Sequence, residues 1–479
     1  MALPQPKVDH LEPIRQMTSP GVSRFASDAP LTASQRVAQV TSSGRPQRST
    51  RPGPKGGRQE ERTTGGRQRR RTDDRREPAL GTNASNLSDV GRLEARKARK
   101  GGRYTVRRQA KKVRPGESRL SDCGYVAIRP GGGVGLRGNA AAGGESSGYA
   151  GVSTCGSVWA CPVCASKIAY VRAAELAQVL GWANKMGHTV ALLTLTARHS
   201  KGHKLGDTWN GITTAWGRTI SGYAWAGESD KAYQKRVITW ENRRQLNRPR
   251  PVRSEGIKDR FGILGWARAV EVTSGDNGWH PHAHIVMVFE GKISDAMIRV
   301  AGEEMYALWA KGLASKGYSA LRDSGGLDIR TSANEVSTVL AEYLTKQLAI
   351  EATHGGQKLG RLHGRTPFQI LADFFDTGDA DDHDLWFEWE RGSKGRQQLT
   401  WSKDLREMAG LAAQEQTDEE IAEADEGGEM LLNLPPATWR VVREDSVQLL
   451  LACDEGGLKG ARAWLDARGL VYDLPPKSR

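Results

Sequence analysis

The spread of apolar residues divides the chain. Residues 1 to about 115 hold few of them and are rich in Arg, Gly, Ser, Thr and Pro. Such a stretch cannot bury enough surface to offset the entropy of ordering, so it is expected to be a disordered basic arm. Further on, Ile168, Val171, Leu176, Val179, Leu180 and Trp182 recur at helical spacing within Lys167–Met186, and Gly187 stops that helix. His188–Thr196 is an apolar run ending in the polar pair Thr194 and Thr196, which reads as a buried strand. A second helix is expected over 205–220, and a third from its cap Ser294 to about Lys316. Ala267–Thr273 and Gly278–Phe289 read as two strands around the turn residues Ser274–Gly278, and Gly326–Arg330 as a short one. Glu335–Leu348 is amphipathic, with the stripe Val336, Val339, Leu340, Leu344. Residues 437–472 suggest a strand and two short helices, a small winged-helix-like module within 431–479.

The strand Gly278–Phe289 carries the densest chemistry. Side chains alternate across a strand, so His280, His282 and His284 share one face while Ala283, Ile285 and Met287 line the other. Neutral imidazoles at adjacent same-face positions make half a site for a divalent metal. If the two strands pair as a hairpin, Glu271 lands beside them and supplies a carboxylate oxygen. Two His and one Glu would leave positions open for a substrate oxygen. Isolated His residues are more often structural, but three at period two opposite a carboxylate favour the metal.

Composition adds partners and cofactors. The chain has 479 residues, 38% hydrophobic, and a formal charge of +15, with a pI near 9.6. That excess points to a polyanion, nucleic acid ahead of an anionic membrane. No apolar run approaches the roughly 20 residues that span a bilayer, and no signal core opens the chain, so a cytoplasmic protein is expected. Of five cysteines, Cys123, Cys155, Cys161 and Cys164 cluster within 116–168, around a Gly-rich loop at 131–148. Cys161 and Cys164 form a C-x2-C knuckle, Cys155 adds a third thiolate and Cys123 a fourth, a set suited to a structural Zn2+ with no open position. Cys453 stands alone as a small hydrophobe. Residues 228–258 read as an inserted basic arm (Arg243, Arg244, Arg248), and 411–430 as an acidic linker. Trp386 and Trp389, interleaved with basic residues such as Arg365, either stack on unpaired bases or belong to the core.

On the amphipathic helix, Tyr343 has Lys346 one turn on. By itself this is either a core Tyr beside a snorkelling Lys, or a hydroxyl and an ammonium meeting one phosphate. The order of elements decides: a Thr-rich strand, a His strand, then a Tyr helix. Leu192–Thr196, Trp279–His284 and Ala341–Lys346 resemble, in this order, the three motifs of the HUH-endonuclease superfamily, specifically plasmid rolling-circle replication initiators of actinobacterial type. The Cys-x5-Cys-Pro-x-Cys segment and Leu399–Lys403 are also similar, and the likeness covers about 120–410.

The resemblance implies an α+β fold, a central antiparallel sheet with flanking helices, in a nicking domain over 169–410. It implies Tyr343 as nucleophile, His282, His284 and Glu271 around Mg2+ or Mn2+, and His280, Thr194 and Thr196 supporting them. Nicking at a plasmid origin, single-stranded or supercoiled, would leave a 5′-phosphotyrosine and a 3′-OH for a host helicase and polymerase to use. No ATP is needed, and no G-x-x-x-x-G-K-[ST] loop is present. Related initiators often carry a second Tyr or a Glu one turn before the nucleophile. Here that position is Val339, with Gln347 one turn after, so Glu335 and Glu342 are the candidates for activating water. Two alternatives share these residues: an HUH rolling-circle transposase, and a non-catalytic zinc-containing DNA-binding regulator. A conjugative relaxase is disfavoured, because its nucleophile precedes the His cluster.

Overall fold

The computed structural model describes residues 89–114, 118–138, 147–243, 248–331, 364–424 and 428–475. In chain order the main elements are α1 (Asp89–Val113), β1 (Val134–Gly138), β2 (Gly148–Ala150), α2 (Pro162–Lys185), β3 (Thr189–Thr196), α3 (Leu205–Thr219), α4 (Asp230–Asn242), β4 (Ile263–Gly275), β5 (Gly278–Phe289), α5 (Asp295–Ala314), β6 (Leu327–Arg330), α6 (Pro367–Thr377), α7 (Ala380–Ser393), β7 (Leu399–Trp401), α8 (Asp418–Glu423), β8 (Glu429–Leu434), α9 (Pro436–Val442) and α10 (Ser446–Asp466).

The central sheet is antiparallel throughout, in the order β6-β3-β5-β4-β7. It is covered on both faces, which is why β5 reads as a nearly unbroken apolar run after its histidines. Ala283, Ile285, Met287 and Phe289 pack with Trp216 of α3 and Trp309 of α5. Val286 and Val288, on the other face, meet Leu176, Val179, Leu180 and Ala183 of α2. The β4–β5 hairpin closes at Gly275↔Gly278. Gly278 takes φ 83°, and a Cβ there would come within 3.1 Å of the Lys201 Cα, so only glycine fits this corner.

A second layer joins the two ends of the described chain. β2, β1 and β8 form a three-stranded antiparallel sheet. Leu136, Leu432 and Leu434 from it pack with Trp439, Leu449 and Leu450 of α9 and α10. Lys100 of α1 is buried here, its ammonium donating to Asp454 Oδ2 and to the Ser147 carbonyl. Asp454 Oδ1 accepts from the Ser147 amide and hydroxyl, each at 2.7 Å.

These contacts correct four expectations. Residues 89–113, placed in the disordered arm by composition, form α1; two of its apolar residues, Val106 and Ala110, are buried, and Lys97 and Lys100 pair with Glu455 and Asp454. The Gly-rich 131–148 segment contains β1, so the C-terminal module is not self-contained: its strand, at 429–434 rather than after 437, needs β1 as a neighbour. The acidic 411–430 stretch is docked, since α8 has a capping box on Thr417 and buries Ile421 and Ala422. Arg172 holds that stretch through Glu415, Asp418 and the Gln416 carbonyl. The basic insertion at 228–258 includes the helix α4, with Arg236 paired to Glu228 at its base. α2 also starts five residues earlier than the expected Lys167, at Pro162, a residue pre-shaped for a first helical turn. No helix among the described residues is long and apolar enough to cross a membrane.

The Lys100–Asp454 pair gives a stability test. Asp454→Ala leaves a buried ammonium uncompensated and should cost about 3–5 kcal/mol in urea unfolding, whereas Lys100→Met with Asp454→Leu should cost much less. Equal losses in the two proteins would show that packing, not charge pairing, holds α1 in place.

Candidate metal centre on the central sheet

The register of three strands builds this site. Glu271 of β4 lies opposite His282 of β5, which lies opposite Thr196 of β3. One row along, Ala269, His284, Thr194 and Asp328 of β6 face each other in turn. All these positions share the α2 side of the sheet. The Glu271 Oε2 atom sits 3.1 Å from His282 Nε2 and 2.9 Å from His284 Nε2. The three donor atoms lie within 4.8 Å of one another, so the group could hold a metal ion.

Burial makes the arrangement costly unless its charges are matched. Glu271 is 8% exposed and His284 3%. Burial would raise the Glu271 carboxyl, but hydrogen bonds from His282 and His284 outweigh it and hold the group well below the usual carboxylate range. Burial also holds His284 below the ordinary histidine value, against the pull of Glu271. The Thr194 hydroxyl, 3.1 Å from His284 Nδ1, holds that ring's orientation and can serve either tautomer. With a proton on Nε2 facing Glu271, the hydroxyl donates to Nδ1; with a cation on Nε2, Nδ1–H donates to the hydroxyl. Thr196 holds the register position across from His282.

His280 occupies the edge of this face. Burial, then the charges of His282 and His199, push its pKa down to about 4. Its Nδ1 lies 3.3 Å from His199 Nε2, and the rings meet edge-on at 4.5 Å. Sequence reading missed His199, because it follows β3 in a loop and only the fold brings it to β5. It also missed Asp328 and Arg330, paired at 2.9 Å on the exposed outer strand of the same face.

Tyr343, Lys346, Glu342 and Glu335 lie outside the described residues. The described chain on either side belongs to this sheet. β6 ends at Arg330, and Arg365 forms a bridge with Ser274, three residues beyond Glu271 on β4. Of the expected DNA-binding arginines, Arg244 is also outside the described residues, while Arg243 and Arg248 are exposed. Arg365 pairs with Asp382 at both oxygens and with Asp373 at 3.0 Å, and so supplies the counter-charge of the buried Asp382. Trp386 and Trp389 are core, at 1% and 2% exposure.

Cys123, Cys155, Cys161 and Cys164 come together, all buried and none in a disulfide. Cys161 caps α2 and Cys164 sits in its first turn, where the helix dipole favours thiolate. Sγ–Sγ separations are 3.7 Å for Cys123–Cys161 and 3.6 Å for Cys123–Cys164 and Cys155–Cys164. Four sulfurs about 2.3 Å from a tetrahedral ion would stand about 3.8 Å apart, so the cluster could hold a metal. Hydrogen bonds from Cys155, Cys161 and Cys164 hold the Cys123 thiol well below its ordinary value. Hydrogen bonds to Cys123 and burial push Cys155 and Cys161 up, the mark of thiols too crowded to ionise together without a cation.

No family model matches the chain, and no solved structure does. Among curated proteins, Protein rep of Streptomyces lividans is 32% identical over 327 residues, 58% of this chain and 70% of that protein. The Neomycin resistance protein of Streptomyces cyanogenus is 28% identical over 238 residues, 44% of this chain and only half of that protein's length. Identity at nearly a third of aligned positions, over more than two thirds of Protein rep, places the chain in the family of Streptomyces Rep proteins.

Proposed function

We propose that this protein initiates rolling-circle replication of a plasmid by nicking one DNA strand and holding the cut end on Tyr343. The observation that carries the reading is the convergence of His282, His284 and Glu271 on the α2 face of the sheet. Membership of the Rep family supports the biology. The HUH likeness of the three motifs supports the chemistry.

The donor set suits a divalent cation: two imidazole nitrogens and one carboxylate oxygen, leaving positions open. Mg2+ keeps to oxygen ligands, so among the two candidates the mixed set favours Mn2+. When bound, such an ion acts as a Lewis acid on a phosphate oxygen. The chain's own residues would do the rest. Glu271 and the two His fix the position of the phosphate relative to the sheet, and Thr194 fixes the orientation of His284. The Tyr343 hydroxyl bonds to phosphorus, the P–O3′ bond breaks, and the phenolic proton is lost as the 3′ oxygen gains one. Lys346 offsets the charge that develops. The phosphotyrosine keeps the bond energy for rejoining, with Glu335 or Glu342 available to activate water. The thiolate cluster would hold a structural Zn2+.

Incubation with supercoiled plasmid and Mn2+ should give a covalent protein–DNA adduct on a denaturing gel, absent in Tyr343→Phe and after chelation. An adduct from Tyr343→Phe would sink the nucleophile assignment. Glu271→Gln and His284→Ala should each slow nicking by on the order of 100-fold or more while leaving DNA affinity in EDTA unchanged. Near-normal rates in both would remove the metal from the reaction. For the cysteines, elemental analysis should find one zinc per chain, lost in Cys161→Ser together with a lower melting temperature. Freshly purified protein without zinc would end that proposal.

A further inference from the structure

Apart from the sheet site, one concave, strongly basic place stands out. It is a cleft of about 240 Å3 where α1 meets the start of α10, lined by Tyr104, Arg107, Lys111, Tyr125, Arg443 and Ser446 among others. Tyr104, Arg108, Lys111 and Lys112 follow one another at helical spacing, so α1 turns a continuous face toward it. The cleft brings Arg107, Arg108, Lys111, Lys112 and Arg443 together against only Glu444 and Asp445.

Not all five cations are free to meet a ligand. Arg107 is buried beneath the surface, its guanidinium 4.3 Å from the Tyr104 ring centroid and pressed against Gly124, next to Cys123. Burial works against its charge, and the Tyr104 and Cys123 side chains beside it favour that charge, with the net effect upward. Arg108 stands 4.0 Å from Asp445, and Arg443 has Glu444 at 3.5 Å. Lys111 instead lies over the Tyr125 ring at 3.9 Å, with Arg443 at 4.2 Å from the same ring. Among the described residues neither Lys111 nor Lys112 forms an ion pair. Burial and then the Arg107 charge push the Lys111 pKa down, against a weaker pull from Cys123 and Asp122, so a phosphate in the cleft would restore charge balance. The first turn of α10 also opens here, and its N-cap Asp445 makes no side-chain cap.

We propose that this cleft holds a backbone phosphate of DNA outside the nicking centre, with Lys111 and Lys112 as its principal contacts. A phosphodiester matches the features better than a whole small-molecule ligand. The volume falls below the roughly 300–1,000 Å3 usual for such ligands, and the aromatic faces are already covered by cations, leaving charge as the recognition. The site would let α1, the last part of the basic N-terminal region, fix the duplex while the sheet acts on one strand. DNA as the source of the phosphate rests on the Rep reading, but the test below reads binding without cleavage.

The test uses the full chain, a labelled duplex of about 30 base pairs, and EDTA so that nothing is cut. Lys111→Ala with Lys112→Ala should lower the slope of log affinity against log salt by about 0.9, the loss of one phosphate contact. Lys111→Arg with Lys112→Arg should restore it. Nicking of a short single strand covering only the cleavage site, with Mn2+, should stay at the wild-type rate. An unchanged salt slope in an Ala variant of unchanged melting temperature would overturn the proposal. So would a melting-temperature increase with inorganic phosphate that the Ala variant abolishes without any change in DNA affinity, since that would assign the cleft to a free anion.

Discussion

The pairing of β4 with β5 is the constraint on which the site depends. Because side chains alternate, a slip of one residue would turn Glu271 to the opposite face from His282 and His284. The register is held from both sides. Val270 and Val272 must reach one core, and Ala267 and Ala269 must lie under α2. Gly278 closes the hairpin at a corner that no side chain tolerates. The polar cluster therefore inherits its geometry from apolar packing that takes no part in its chemistry.

Burial then sets the electrostatics. Glu271 lies where solvent contributes little, so the two imidazoles must stabilise its charge. Small neighbours help: Ala269 sits across from His284 and leaves the ring room to face Thr194 and Glu271 at once. The same economy explains Arg365, whose charge is spent on the buried Asp382 in bracing α6 and α7 against the end of β4.

The second layer ties distant parts of the chain together. α1, β1 and β2 come from one end and β8 to α10 from the other, and neither group makes a core without its partner. The thiol cluster lies beside this junction, and α8 packs against it. Tryptophans carry the contact on to the sheet: the Trp389 indole donates to the Trp159 carbonyl, and Trp389 lies 5.9 Å from Trp279 of β5.

The sequence by itself determined what local periodicity encodes. The His face of β5, its opposite apolar face, the neighbouring Glu271 strand, the helix after Ser294 and the four clustered cysteines were all legible, because each is set within a few residues or one hairpin. What crosses the chain was decided only by tertiary structure. Composition read 89–113 as disordered and 411–430 as an acidic linker, since charged stretches look solvated until a partner such as Asp454 or Arg172 is known. The pairing of Arg365 with Asp382 carried no signal because the two are a helix apart, and neither did His199, whose meeting with His280 is made by strand pairing across 81 positions. Long-range charge pairing and strand register depend on where the backbone goes, and a local pattern of residue types holds no record of that.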